Sequence, residues 1–472
     1  MEYLPTIGLE IHVELKTATK MFCDCLNDPE EKHPNINVCP ICLGHPGTLP
    51  TINKKAVLSV IKLGKALNGK IAKKTKFHRK NYFYPDLVKA YQISQYDIPL
   101  VSGGKLNDIN IRRIHLEEDT GTLIHDKVNN LALVDYNRSG VPLMELVTEP
   151  EFKSAQEVVK FAKDLQNIIR YLEISDADME KGEMRIEANV SLNLGTKVEL
   201  KNINSFKFVE KAITYEIERQ KKVLSEGKKI IQETRGWDDI NQKTFSQRSK
   251  EDAHDYRYFP EPDLPPFETN IFSPEELSLP ELPSQRKKRF VKEFSLSEQQ
   301  AELLVLEKQF ADYFEESVSE IKAFDENIDS QESCRLIFNY LTSDLKGLLA
   351  ENDINDWQER IPPEHFAHLI YLIIKGDINS RIAKDVLKKM FSSQLDPEDI
   401  LKSEKIKLVD NSFLEEIVKQ VITEEKAAVK DYLNGKNSAI QYLIGKTMAK
   451  IKGQANPEQV RSVIITILTK IK

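Results

Sequence analysis

Ile7-Gly8-Leu9-Glu10-Ile11-His12-Val13-Glu14-Leu15 alternates apolar and polar residues almost without interruption. Successive side chains of a β-strand face opposite sides. The stretch therefore predicts a strand that turns Ile7, Leu9, Ile11, Val13 and Leu15 to a core, and Gly8, Glu10, His12 and Glu14 to the other face. Like-facing neighbours stand about 7 Å apart. Two carboxylates and an imidazole at that spacing can converge on a divalent cation or on phosphates. An amphipathic strand with a solvated polar face has the same pattern, and for one strand alone that plainer reading is the commoner.

The pattern recurs, which shifts the balance. Met184, Ile186, Ala188, Val190 and Leu192 alternate with Arg185, Glu187, Asn189, Ser191 and Asn193; Val198 and Leu200 alternate with Lys197, Glu199 and Lys201. Glu145 lies in the strand-like run Val141–Glu149, and a strand over Ile111–Leu116 runs into His115-Leu116-Glu117-Glu118-Asp119-Thr120-Gly121. A sheet face that collects Glu, His, Arg, Lys and Asn reads as a floor for metal and phosphate. Mg²⁺ takes oxygen ligands and bridges phosphates to one or two carboxylates, and cationic side chains beside it balance phosphate charge. Glu10, His12, Glu118 and Glu145 are the candidate metal shell and catalytic set, with Glu199 beside them. Arg185, Lys201, Asn202 and Ser205 are candidates for phosphate or acyl contacts. Lys80 precedes the aromatic run Tyr82-Phe83-Tyr84 and joins the cationic candidates, whereas Phe83 itself reads as buried packing. Neither GxxxxGK[ST] nor GxGxxG is present, so P-loop and dinucleotide-fold readings lack their motif.

Outward from these strands, 472 residues predict two to four domains. Residues 1–290 read as α+β with a largely antiparallel sheet. A helix starts at Ser154, with Glu157 completing a capping box and Val158, Phe161, Leu165, Ile168 and Leu172 at helical spacing. A second helix spans about Phe206 to Leu224, and seven prolines between Tyr258 and Pro283 predict an extended exit. From Ser284 strand signals vanish and helical periodicity continues, with a break near Ser392–Pro397. Two all-α domains follow, at 291–400 and 401–472.

Four of the five cysteines form two short-spaced pairs, Cys23-x-Cys25 and Cys39-x2-Cys42, 13 residues apart. Such pairs can fold four thiolates into a tetrahedron, and structural Zn²⁺ is favoured over free thiols. Cys334, alone in an amphipathic stretch, reads as core.

The net charge of −7 excludes a chain that binds nucleic acid non-specifically along its whole length. The segment 426–472 differs: nine Lys/Arg against two acids make it +7, leaving −14 for the remainder. Lys436, Lys446, Lys450 and Lys452 are the candidate RNA contacts there, near the loop signals Gly435 and Gly453-Gln454. The N-terminus lacks the basic and apolar regions of a secretory signal, and no run approaches the ~18 apolar residues of a membrane span, so a cytoplasmic location is expected.

Six runs then carry a family resemblance: Ile7–Leu15, Arg79-Lys80-Asn81-Tyr82-Phe83-Tyr84-Pro85-Asp86, Lys89-Ala90-Tyr91-Gln92-Ile93-Ser94-Gln95, His115–Asp119, Glu199-Leu200-Lys201-Asn202-Ile203-Asn204-Ser205-Phe206 and Asp255-Tyr256-Arg257-Tyr258-Phe259-Pro260-Glu261-Pro262-Asp263. Together with Asn434-Gly435-Lys436, Gly445-Lys446-Thr447-Met448 and Gly453–Pro457, they resemble the B subunits of tRNA-dependent amidotransferases over essentially the whole chain. Members often read Arg-Cys-Asp-Ala-Asn where this chain has Arg185-Ile186-Glu187-Ala188-Asn189. The resemblance implies a cradle domain similar to glutamine synthetase and guanido kinases, a helical middle domain and a small helical tail. It implies a heterotrimer with an amidase (glutaminase) subunit and a small third subunit. It also implies ATP- and Mg²⁺-dependent phosphorylation of the carboxylate of mischarged Glu-tRNA(Gln) or Asp-tRNA(Asn), then amidation by channelled ammonia. Only with that resemblance does Lys80 gain a partner, ATP or a tRNA 3′ end. Two rivals stay open: a non-catalytic tRNA-binding scaffold, and a free-standing carboxylate–amine ligase.

Overall fold

The first strand, β1 (Pro5–Glu14), is the middle of a ten-stranded sheet, paired on both sides. The computed structural model describes residues 3–28, 30–126, 128–249, 256–352, 356–404, 411–451 and 455–471. Ile7, Ile11 and Val13 are wholly buried and Leu9 is 1% exposed. Fully burying one such side chain stabilises the fold by about 1.5–3 kcal/mol, so a register slip that turned this row to solvent is strongly opposed.

The other long strands are β2 (Ile109–Glu118), β3 (Pro142–Thr148), β4 (Met184–Leu192), β5 (Val198–Ile203), β6 (Glu233–Asp238) and β7 (Lys243–Ser249). They run in the order β7-β6-β5-β4-β1-β3-β2, and the short strands Val101–Ser102 and Lys70–Ile71 extend the β2 edge. All pairs are antiparallel except β5 with β6. Helices α1 (Lys54–Ala66), α2 (Ala155–Tyr171) and α3 (Phe206–Ser225) share one apolar core with the inward row of β1. One face of the sheet is thus sealed by helices, and the polar row of each strand lies opposite.

The helix starts follow local chemistry. Ser154 Oγ accepts a hydrogen bond from Glu157 N at 3.2 Å, but the Glu157 carboxylate reaches one residue past the expected partner and accepts from Lys153 N at 2.8 Å. The capping box is therefore half formed, with the second donor displaced to the residue before the cap. The proline-rich exit, expected to be extended, alternates short extended pieces with turns, Leu264 N donating to Glu261 O and Leu277 N to Ser273 O, and it also folds back. Phe259 and Pro260 pair with Arg79 and His78, and Phe267 with Thr75. Proline at an edge strand costs no ladder hydrogen bond.

The chain divides into two compact units, Met1–Pro283 and Ser284–Lys472. Among the described residues the second unit contains helices and no strand. It holds two separate apolar clusters, one from Phe290 to Ile400 and one from Leu414 to Leu468. The sequence break coincides with a helix end: Gln394 closes the helix Ser380–Ser393 in a left-handed conformation, and Asp396 caps Pro397–Ser403. Cys334 is buried in the first of these clusters. No described helix is long and apolar enough to cross a membrane.

Candidate active site

Register builds the site. His115 of β2 stands opposite Glu145 of β3, Glu145 opposite His12 of β1, and His12 opposite Arg185 of β4. Two residues along β1, Glu10 stands between Val147 and Glu187. The row therefore crosses four strands, and its side chains share the face away from the helices.

His12 Nε2 lies 3.4 Å from Glu145 Oε2 and 3.5 Å from Glu117 Oε1. His115 Nε2 lies 3.4 Å from the same Glu145 oxygen and 3.8 Å from Glu117 Oε2. Ligand atoms of His12, Glu117 and Glu145 all fall within 4.8 Å of one another, a grouping that can hold a metal ion. Burial opposes the charge on Glu145, yet the His115 and His12 imidazoles and the Lys80 ammonium hold it well below the usual carboxylate range. Burial likewise disfavours charge on His12, but its hydrogen bond to Glu145 and the fields of Glu145, Glu117 and Glu187 push it up to about 9. Burial also opposes ionisation of Glu117, which His115, Lys80 and His12 nevertheless keep low. The cluster is a focus of negative potential that strongly attracts a proton or a cation. Glu10 stands beside it, accepting from Asn189 Nδ2 at 3.0 Å, and is pushed up by burial and by Glu145, Glu187 and Glu199.

One expected ligand is elsewhere. Glu118 points to the other side of β2, where its carboxylate takes Lys89 Nζ at 2.6 Å and Ile93 N at 2.9 Å. It faces a cavity of about 190 Å³ shared with Cys23 and Cys42. Ile114 and Leu116 are core residues, so strict alternation sends Glu118 with them and brings Arg113, His115 and Glu117 to the floor. Glu117 and His115 are readable from that alternation.

Cations ring the cluster. Lys80 Nζ sits 5.1 Å from the Tyr256 ring centroid and 5.9 Å from that of Tyr82. Burial disfavours its charge, but Glu117, Tyr258 and Glu145 raise it above an ordinary lysine. Arg185 Nη2 and Arg138 Nε both donate to buried Asp119, at 2.7 and 2.8 Å, and Arg138 also binds Glu14. Burial and then Asp119 raise Glu14 to about 7, against the pull of Arg138. Asp119 and Arg138 escape sequence reasoning, since nothing local signals that one carboxylate serves two distant guanidiniums. Lys201 Nζ binds Glu187 at 2.8 Å and Glu199 at 3.5 Å, and Glu199 also accepts from Thr234 Oγ1 at 2.7 Å. Asn202 is exposed, has φ 58°, and lines an open cleft of about 480 Å³ with Arg185 and Glu187. Ser205 caps α3, its Oγ accepting from Phe208 N at 3.2 Å.

Cys23, Cys25, Cys39 and Cys42 bring their sulfurs within 4.8 Å of one another, a second grouping that can hold a metal ion. In the turn that makes this possible, Leu43 N donates to Cys39 O and Gly44 N to Ile41 O, and Cys39 N points at Cys42 Sγ at 3.1 Å. Gly44 has φ 65°, and a Cβ there would collide with Lys89. A hydrogen bond from Cys23 stabilises the Cys42 thiolate, burial works against it, and Cys39 N–H and buried Lys20 help bring it down to about 5.

The basic tail is less free than its composition suggests. Lys436 pairs with Asp431 at 3.0 Å, Lys446 with Glu425 at 3.1 Å and Lys450 with Glu424 at 2.6 Å. Glu424 and Glu425 lie just outside the basic window. Lys452, Gly453 and Gln454 lie outside the described residues.

Compared with known families, residues 5–271 match the GatB/GatE catalytic domain and residues 322–468 the GatB domain. A protein of Persephonella marina, named as the B subunit of aspartyl/glutamyl-tRNA(Asn/Gln) amidotransferase, is 46% identical over 99% of this chain and 100% of its own length. Proteins of the same name from Carboxydothermus hydrogenoformans and Thermoanaerobacter pseudethanolicus are 45% and 43% identical, each over 100% of both chains.

Proposed function

The chain belongs to the family of aspartyl/glutamyl-tRNA amidotransferase B subunits, and from that premise we propose that its carboxylate floor activates the side-chain carboxylate of mischarged Glu-tRNA(Gln) or Asp-tRNA(Asn) with ATP. A carboxylate is a poor electrophile. Transfer of the γ-phosphoryl group to one of its oxygens gives an acyl phosphate. Ammonia then attacks the acyl carbon, the phosphate leaves with the C–O bond electrons, and the amide remains. Phosphoryl transfer needs positioned charge rather than a protein nucleophile.

The observation that carries this reading is the convergence of His12, Glu117 and Glu145 on one point of a sheet face ringed by Lys80, Arg185 and Lys201. The donor set fits a divalent cation, and Mg²⁺ bound there would supply positive charge to offset that of the phosphates. Glu117, Glu145 and His12 would hold it, with Glu10 alongside. Asp119 orients Arg138 and Arg185, and Lys80 and Arg185 meet the phosphate charge. Asn202, Arg185 and Glu187 line the cleft that would take the nucleotide or the acyl group, and Lys201 and Glu199 join it through Glu187. The sealed sheet with one open polar face supports the cradle likeness, and three apolar clusters support three domains, with the first boundary at Pro283 rather than at 290, because Phe290 packs in the second cluster. For the thiols, Zn–S bonds of about 2.3 Å imply S···S edges of about 3.8 Å; Cys25 and Cys42 stand at 4.0 Å, and four thiolates are a zinc donor set. A partner glutaminase chain supplies the ammonia, and a small third chain straps the two larger ones together.

The complex supplied with ATP and glutamine is expected to form amide on at least one of the two mischarged tRNAs, with ATP consumption that needs that tRNA. ATP hydrolysis indifferent to mischarged tRNA, with no amide formed, would overturn the reading.

The tail is assigned to the tRNA body. Exposed ion pairs are worth about 0–1 kcal/mol, so Lys436, Lys446 and Lys450 can exchange their carboxylates for phosphates at small cost. Removing residues 411–472 is expected to raise the tRNA KM and flatten its salt dependence, while zinc content stays unchanged. Unchanged affinity and salt slope would reassign the tail to another partner.

A further inference from the structure

An aromatic run such as Tyr82-Phe83-Tyr84 suggests interior packing for its central ring, and the structure shows the opposite: Phe83 is 87% exposed and its neighbour Tyr84 is 60% exposed. Both sit on the loop joining the paired strands His78–Asn81 and Tyr91–Ser94. That loop is held firmly. Leu87 N donates to Tyr84 O at 3.0 Å, Tyr136 Oη to Pro85 O at 3.0 Å, and Gly121 N to Asp86 O at 2.9 Å. The exposure is therefore built into an anchored turn.

The loop also adjoins the candidate site. Lys80 enters it within the field of Glu117 and Glu145, and Lys89 leaves it on Glu118. Tyr82 turns inward, its ring 6.0 Å from that of Tyr256, within the fields of Lys80, Glu117 and Asp119. Phe83 follows it by one Cα step of about 3.8 Å. Two outward aromatic rings stand next to a cationic entrance to a carboxylate floor. Unpaired nucleobases stack on such rings, and lysines meet their phosphates.

We infer that Phe83 and Tyr84 form a stacking platform for the unpaired bases at the 3′ end of the substrate tRNA. The inference rests on the function proposed above, since a carboxylate esterified through its amino acid to the terminal ribose reaches the floor only when the adjoining bases lie beside it. The platform would hold those bases while the aminoacyl group turns inward past Lys80.

The test uses the complete complex with Phe83→Ala, Phe83→Leu, Phe83→Trp and Tyr84→Ala. Stacking on a single base is worth about a tenfold change in binding or more. Phe83→Ala and Phe83→Leu are each expected to raise the mischarged-tRNA KM about tenfold with the ATP KM unchanged, and Phe83→Trp to restore it. Binding of uncharged tRNA separates the sources: the alanine penalty should vanish when the tRNA lacks its unpaired 3′ nucleotides. Four outcomes overturn the inference alone. An equal penalty on intact and trimmed tRNA removes the 3′ end as occupant. A raised ATP KM alone gives the rings to the nucleotide. Loss of the partner chains on purification makes the loop a protein interface. Unchanged kinetics in every variant also overturns it, while wild-type amide formation leaves the proposed function standing. A wild-type complex that forms no amide overturns both.

Discussion

Replacing Glu145 by glutamine is expected to lower ATP-dependent amide formation by about 10²-fold or more, with ammonium supplied in solution so that no glutaminase step intervenes. The carboxylate is the hub of the cluster: His12 and His115 each approach it at 3.4 Å, and Lys80 feels its charge. Glutamine keeps the volume and one acceptor oxygen but supplies no charge to a cation. Alanine would go further and leave two imidazoles and a buried ammonium facing a void, which confuses catalysis with stability. The glutamine variant should therefore melt near the wild type while losing turnover. Glu117→Gln should act in the same sense. Glu118 offers an internal contrast, because its carboxylate serves Lys89 and Ile93 N and does not face the metal grouping. If Glu145→Gln and Glu117→Gln both turned over within a few-fold of wild type, the floor would not be where phosphoryl transfer occurs.

What the residues disclose in advance follows from period. Alternation in β1 is long enough to place every residue of the strand on its correct face, and the same rule, carried to β2, puts Glu117 and not Glu118 beside His12. Glu118 is the carboxylate that its acidic neighbours recommend, whereas Glu117 is the one that parity selects. Across-strand register is a different matter. That Glu145 meets both His12 and His115 depends on which strands adjoin, and nothing within 15 residues of Glu145 encodes that neighbourhood. Asp119 bridging Arg138 and Arg185 is long-range in the same way. Two further residues show competition between local roles. Ser205 sits where a phosphate contact is plausible, but three residues ahead of Phe208 it is a helix cap. Phe83 is apolar, and composition argues for burial; only the hydrogen bonds that pin its loop explain an outward ring. For the tail, the limit is the window: counted from 426 the segment is basic, but Glu424 and Glu425, just ahead of it, pair with Lys450 and Lys446.

Changing Cys39 and Cys42 together to serine is expected to abolish bound zinc, from one ion per chain to none by metal analysis, and to lower the Tm by about 5–10 °C. Two thiolates of four cannot close a tetrahedron, and serine oxygens are poor substitutes for sulfur at a zinc site. The damage should extend beyond the ion because of Lys20. Its ammonium is fully buried, donating to Asn37 O at 2.6 Å and lying 3.9 Å from Cys42 Sγ, and its counter-charge is the thiolate cluster. Removing that negative charge leaves a cation in the interior beside carbonyls alone, a state that costs about 3–5 kcal/mol when one partner of a buried pair is lost. The turn 39–44 touches Lys89 through Gly44, and Lys89 holds Glu118, so loosening should reach the edge of the floor without removing any group from it. Activity is therefore expected to fall less than stability, and to recover on cooling, which separates a structural metal from a catalytic one. A second change sharpens the test: adding Lys20→Met to the double variant removes the stranded charge and should return part of the lost Tm without returning zinc. Wild-type protein that carries no zinc while all four thiols react freely would refute the assignment, as would a double variant that keeps its metal.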